Sequence, residues 1–352
     1  MTDGETGERS IRLGVIGAGR IAQVAHLPAI AKASGVDLVA ISDPSPTLAE
    51  GVAKKYDAEP FTDTDKLLQL DLDAVVIATP DRFHHPLGMA ALEAGKHVLM
   101  EKPLASTSTQ AQELADLANA RRLKLQTGSM RRHDPGLAFA REHLPNIGRI
   151  LSLNAWYRVM AALRPPTEAT LFPALVVDSD VRQVESTFKT DRERYQLATQ
   201  GAHVFDGLEV FGGPATWVSA RVGHLGNDYT WHGIAGMRNS DGLISFEIST
   251  DVRGEWAEGM EIYGEFGHIS TRTRFPFFRH ASEVEVHIES DATSLVPHHG
   301  DTDPFKRQVE AFARAILDDT PTDPTPEEGV RAVQWIEAVS ESSRNGGREV
   351  RL

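Results

Sequence analysis

The sequence predicts an α/β chain in two parts. A doubly wound parallel sheet comes first, and an α+β domain with an open-faced, largely antiparallel sheet comes second. Three observations carry this. Up to residue 129, short β-branched runs alternate with helical patterns, an order that gives parallel strands with helices on both faces. Those runs are apolar nearly throughout, as expected of strands buried on both sides. After about residue 148 the runs alternate instead: Ile244, Phe246 and Ile248 interleave with Ser245, Glu247 and Ser249, the pattern of a sheet with one packed and one open face.

Taken in order, strands are predicted over 11–17, 36–42, 72–79, 96–101 and 124–129, with helices over 22–34, 46–56, 86–95 and 109–122. Pro28 shortens or bends the first helix, and Gly95 ends the third. A strand over 149–159 opens the second part. The turn signal NSDG at 239–242 precedes the strand at 242–250 and suggests a hairpin, and 258–273 reads as strand–turn–strand. Thr325 and Glu328 form a capping box with Pro326 at the first helical position, and the glycines of 345–347 end that helix. The expected organisation is a flexible tail at 1–10, one domain at 11–129 and a second at 130–352.

The 352 residues carry a formal charge of −14 and no cysteine. Such acidity argues against a nucleic-acid partner, whose phosphates are bound by Lys and Arg, and against adsorption to anionic membranes. Without cysteine there is no disulfide framework, thiolate nucleophile or thiolate-bound metal. No long uncharged apolar run suggests a membrane span. The polar start MTDGETGERS lacks the features of a signal peptide, so a cytoplasmic location is expected.

The most informative short stretch is GVIGAGRIA. Gly17, Gly19 and Ala22 have G-x-G-x-x-A spacing directly after the first strand, with Arg20 and Ile21 opening a helix. The first glycine permits a tight turn and the second lets backbone approach a pyrophosphate. The alanine allows close helix–strand packing, and the helix start offers free N–H groups to the phosphates. Asp43 comes 21 residues after Ala22, at the end of the second strand, where an acid takes ribose hydroxyls. Its bland alternative is a helix-capping aspartate before Pro44. A carboxylate there repels a 2′-phosphate and no arginine comes after it, so NAD is expected over NADP. Glu101, Lys102 and Pro103 fall at the carboxyl end of the strand at 96–101, the edge that lines the ligand crevice in such sheets.

Together, GVIGAGRIA, ATPDRFHHPLGMAALEAGKHVLMEKPLA, GSMRRHDPG, GAHVFD, EIYGEFGHIS and the closing helical segments resemble the glucose–fructose oxidoreductase / inositol dehydrogenase (Gfo/Idh/MocA) family over almost the whole chain. The resemblance implies a Rossmann domain, a C-terminal open-faced sheet, a nicotinamide cofactor and a sugar, cyclitol or related carbohydrate substrate. It also implies a homodimer or homotetramer assembled through that sheet. Carried over, Lys102 touches nicotinamide ribose and substrate, and Glu101 holds the cofactor. Thr79, Pro80 and His84 lie along the cofactor, Arg131 lies near the substrate cleft, and His203 is the catalytic histidine. Thr199 stands where the family often has aspartate, and Asp206 matches the acid three residues after the histidine.

If 194–210 is helical, Tyr195, Thr199, His203 and Asp206 share one face. A lone histidine is more often structural than catalytic; Lys102 and the resemblance favour catalysis for this one. The expected chemistry is carbinol–carbonyl interconversion, with His203 moving the hydroxyl proton and Lys102 stabilising the oxygen. Thr199 can hydrogen-bond but cannot raise the basicity of His203 as a carboxylate would. Arg158 and Arg164 are further candidate substrate contacts. The stretch 160–195 is a solvated excursion, a substrate lid or an oligomer contact. No metal is expected, since neither His84–His85 nor His298–His299 sits in a recognised ligand motif. The competing functions are an NAD-dependent glycosidase acting by oxidation and elimination, and a non-catalytic NAD-binding sensor.

Overall fold

In a computed structural model, described over residues 9–159, 170–172, 174–180, 190–250, 252–275 and 277–352, the chain forms two compact units. Arg164 and most of the expected tail lie outside the described residues.

The first unit comprises 1–128 with two later stretches, 174–182 and 305–327. Its six parallel strands run in the order β3-β2-β1-β4-β5-β6: β1 Ile11–Ile16, β2 Val36–Ser42, β3 Glu59–Phe61, β4 Ala74–Ile77, β5 His97–Met100 and β6 Leu125–Thr127. The strand order reverses beside β1, which puts a crevice at the carboxyl ends of the central strands. The edge strand β3 escapes a sequence reading because it has three residues and contains Pro60, a residue tolerated only at sheet edges. Helices α1 Leu27–Ile30, α2 Pro46–Tyr56, α3 Thr64–Leu68, α4 His84–Glu93 and α5 Ser108–Arg121 connect the strands. The first helix expected over 22–34 is shorter and begins with a wide, π-type turn over Ala22–His26. Pro28 cannot supply an amide hydrogen to a continuous ladder there. The core joins Leu13, Val15, Ile41, Val76 and Leu99 to Val309 and Phe312 of a helix late in the chain.

The second unit carries a nine-stranded sheet in the order β14-β13-β12-β11-β7-β10-β9-β8-β15. These strands are β7 Ile150–Arg158, β8 Ala215–Leu225, β9 Asp228–Met237, β10 Leu243–Ser249, β11 Ala257–Gly264, β12 Gly267–Thr273, β13 Glu283–Ile288, β14 Thr293–Leu295 and β15 Val350–Arg351. All neighbours are antiparallel except β7 and β10. The hairpin at 239–242 and the strand pair at 258–273 form as expected. Helices of this unit include α6 Pro135–Glu142, α7 Arg192–Gln196 and α8 Ala202–Gly212; α9 Pro304–Leu317 lies within the first unit apart from its first residue, and α10 Pro326–Arg344 closes the chain's helical part.

One sheet face is covered by α8 and α10. Phe205 stacks on Trp335 at 5.3 Å and meets Phe246 edge-on. Buried Glu209 accepts hydrogen bonds from Trp335 Nε1 and Arg331 Nε at 2.8 and 2.7 Å. The other face is open, lined by Asn154, Trp156, Arg158, Ser219, Ile234, Ser245 and Glu247 among others. Among the described residues no helix is long and apolar enough to cross a membrane, and no cluster of His, Asp and Glu could hold a metal ion.

Candidate functional site

The glycine turn after β1 is built as its spacing requires. Gly17 has φ +95, and a Cβ there would lie 2.6 Å from the Ala78 carbonyl oxygen, so only glycine closes the turn against the neighbouring strand end. A Cβ on Gly19 would meet nothing within 4 Å, leaving room for a ligand to approach the backbone. Ala22 is fully buried, Ile21 is half-buried and Arg20 is exposed. Asp43, just past β2, accepts hydrogen bonds from the Ala18 and Ser45 amides, both at 2.9 Å. Burial raises its pKa, an effect reinforced by Asp178 and opposed by those two amides. The acid therefore faces the glycine turn itself.

Loops after β4 and β5 meet beside this turn. His84 is buried, with Nδ1 2.7 Å from the Pro103 carbonyl and Nε2 2.9 Å from the Thr79 carbonyl, so one ring ties both loops together. Burial pushes its pKa down. Pro80 is half-buried and precedes a short helical turn. Thr79 Oγ1 is buried without a hydrogen-bond partner. Buried Glu101 lies 2.7 Å from His26 Nε2 and accepts the Lys102 amide at 3.0 Å. Burial alone would raise the Glu101 pKa, but the His26 hydrogen bond and charge, with Lys102 and His84, hold it below the ordinary range. Lys102 itself is half-buried. The tight turn, the open space at Gly19, the orphaned Thr79 hydroxyl and the acid at 43 all fit a dinucleotide.

In the second unit, a pocket is lined by His203, Asp206, Arg131, Arg132, Tyr157 and Glu258 among others. His203 stacks on Tyr157 with ring centres 5.5 Å apart and planes within 11°. Arg131 pairs with Glu258 at 2.6 Å, while its buried Nε has no partner among the described residues. Burial raises the Glu258 pKa against the pull of Arg131. Asp206 is gripped by Arg132, whose Nε and Nη2 lie 2.8–3.1 Å from its oxygens. Burial raises its pKa, with Arg132 opposing. Arg132 also reaches Glu328 at 3.0 Å. Asp206 thus works as an anchor of α8.

Tyr195 and Thr199 are not among the residues lining this pocket. The expected common face assumed a continuous α-helix, whereas a π-type turn over Leu197–Gly201 separates α7 from α8. Each such turn takes up more residues than an α-turn and rotates the helix after it. Arg158 stands on the opposite sheet face to Tyr157, because successive residues of β7 point to opposite sides; there it pairs with Glu247 at 2.6 and 2.8 Å. Sequence reasoning missed Tyr157, although alternation along 149–159 marks it as inward-facing. It also missed His26, Arg132 and Glu258, whose partners lie 74 to 127 residues away and leave no local signal.

Residues 11–129 match a family described as "Oxidoreductase family, NAD-binding Rossmann fold". Inositol 2-dehydrogenase 4 of Saccharopolyspora erythraea is 36% identical over 185 residues, covering 51% of this chain and 53% of that one. The segment 11–129 thus matches the NAD-binding Rossmann domain of the Gfo/Idh/MocA oxidoreductases. The chain's sequence matches to such inositol dehydrogenases span about half their length. The whole fold is shared with levoglucosan dehydrogenase, solved in complex with NADH and L-sorbose (TM-score 0.80, 20% identity, 97% of this chain and 99% of that one). It is also shared with a variant of a 3-ketoreductase from Actinomadura kijaniata, solved with TDP-benzene and NADP (TM-score 0.74, 23% identity, 95% and 98%).

Proposed function

We propose that this protein is a nicotinamide-dependent oxidoreductase that interconverts a carbinol and a carbonyl on a sugar, cyclitol or related carbohydrate, with NAD as its working cofactor. The observation that carries this reading is the cradle around Gly17, where the Ala18 amide and Asp43 face one another beside an unsatisfied Thr79 hydroxyl. Gly17, Gly19, Arg20, Ile21, Ala22, Asp43, Thr79, Pro80, His84, Glu101 and Lys102 would hold the dinucleotide. When bound, the nicotinamide supplies or accepts the hydride.

The remaining work falls to the chain. His203 removes or returns the hydroxyl proton, and its stacking on Tyr157 fixes the ring plane. Lys102 donates to the oxygen as charge develops on it. Arg131 offers its unsatisfied Nε to a substrate hydroxyl. Thr199 puts a hydroxyl where a carboxylate would have raised the basicity of His203, so it supports the proton relay by hydrogen bonding only. Two copies associate through the open face of the nine-stranded sheet.

The test is incubation with NAD or NADP and a panel of sugars, cyclitols and glycosides, with reduced-cofactor absorbance and reducing-sugar release measured together. Net NADH without cleavage is expected. Cleavage without net NADH would replace this reading by an NAD-dependent glycosidase, and cofactor binding without turnover across the panel by a sensor.

A further inference from the structure

Between β7 and α7 the chain returns to the first unit, and residues 174–180 lie against it as a strap. Of the stretch 160–195, residues 174–180 are docked on the first unit and so are not a solvated excursion; most of the remainder lies outside the described residues. Three polar pins hold it. Gln23, in the wide turn after the glycines, accepts the Val176 amide through Oε1 at 2.8 Å. Its Nε2 donates to the Val176 carbonyl at 3.0 Å and to the Ala18 carbonyl at 2.9 Å. Lys55 donates to the Ala174 carbonyl. Ser45 Oγ donates to Asp178 Oδ2 at 2.6 Å, and the other Asp178 oxygen accepts the Asp180 amide at 2.9 Å. The Val176 side chain packs over α2, where a Cβ on Gly51 would lie 3.0 Å from it.

The serine pin matters for the ligand. Ser45 joins two carboxylates: its amide donates to Asp43 and its hydroxyl donates to Asp178. Asp43 occupies the strand-end position whose carboxylate receives adenosine ribose hydroxyls. The strap therefore brings a second negative charge to the ribose end of the cradle, and the Asp43 pKa, already raised by burial, is raised further by it. Two anions bridged by one serine repel a phosphate dianion more than one does, and the half-buried setting weakens solvent screening between them.

We propose that Asp178, carried by a strap from outside the 11–129 segment, is a specificity-determining residue that sets preference for the dinucleotide without a 2′-phosphate. This rests on the cofactor reading above and adds a residue to it. Binding rather than turnover tests it, with NAD and NADP titrated calorimetrically into the full-length protein. Wild type is expected to bind NAD more tightly. Asp178→Asn should lower the ratio of the NADP to the NAD dissociation constant about tenfold, mostly through tighter NADP binding. Asp178→Glu, which keeps the charge, should leave the ratio near wild type. Asp178→Ser serves as a second neutral variant if the asparagine form melts early. An unchanged ratio in the neutral variants, an equal change in the glutamate variant, or a wild type that prefers NADP overturns the proposal. A wild type that binds neither dinucleotide overturns the cofactor reading instead.

Discussion

Lys102 and Thr199 differ in what each can do for a reacting oxygen. In the proposed reaction a lysine at the strand end carries a charge that a developing alkoxide responds to, whereas Thr199, an uncharged residue, is not among those lining the pocket that holds His203. Lys102→Ala is expected to lower kcat/KM by about 10²–10³, and Thr199→Ala by less than about tenfold. Steady-state kinetics on the best substrate of the panel compare them, and equal losses would refute the ranking. Glu101 gives a pH signature. Its pKa is held below the ordinary 4.5 in the folded state, so its contribution to stability is full above that value and disappears as pH falls through the folded-state pKa. Denaturant unfolding should show wild type exceeding Glu101→Gln near neutral pH, with the gap closing below about pH 4.5. A gap independent of pH would show that packing, and not the ionised carboxylate, is responsible.

At the scale of elements, α8 is positioned by ion pairs at its buried side. Arg132, just after β6, holds Asp206, and Arg331 of α10 holds Glu209 on the same helix. These contacts set the rotation of α8 and with it the ring of His203, one turn before Asp206. Removing one partner of a buried pair leaves the other charge uncompensated. Asp206→Ala is expected to cost about 3 kcal/mol, softened by Glu328, which still faces Arg132. Chemical denaturation measures this, and a loss below about 1 kcal/mol would mean that Arg132 re-pairs or hydrates easily. The wide turn at Leu197–Gly201 separates α7 from α8, and His203 and Asp206, but not Thr199, are among the residues lining the pocket.

At the scale of the whole molecule, the open face of the nine-stranded sheet is the surface proposed for self-association. Trp156 is half-buried there and Ile234 is 48% exposed on a sheet whose other face is fully packed. Such apolar side chains among polar ones suit a sheet-to-sheet contact. Ile234→Asp is expected to shift the protein to a smaller species in sedimentation velocity while leaving the far-ultraviolet circular dichroism unchanged. A wild type that sediments as a monomer at micromolar concentration would remove the proposal.

The amino-acid sequence by itself determined the parallel sheet, the glycine turn, Asp43 and the EKP strand end, and with them the resemblance to the Gfo/Idh/MocA family. These are local features: spacing along one strand, one turn and one helix start dictates them whatever lies elsewhere in the chain. It also determined the hairpins at 239–242 and 258–273, because alternation and turn residues are neighbours in sequence. Tertiary structure alone decided which charges meet. His26 with Glu101, Arg132 with Asp206, Arg131 with Glu258 and Ser45 with Asp178 are each separated by at least 74 residues. No periodicity records such pairs, since their energy arises only when folding removes water from both partners. For the same reason the face of α8 and the docking of 174–180 were not legible: one depends on an extra residue in a helical turn, the other on a chain crossing that only the packed core can stabilise.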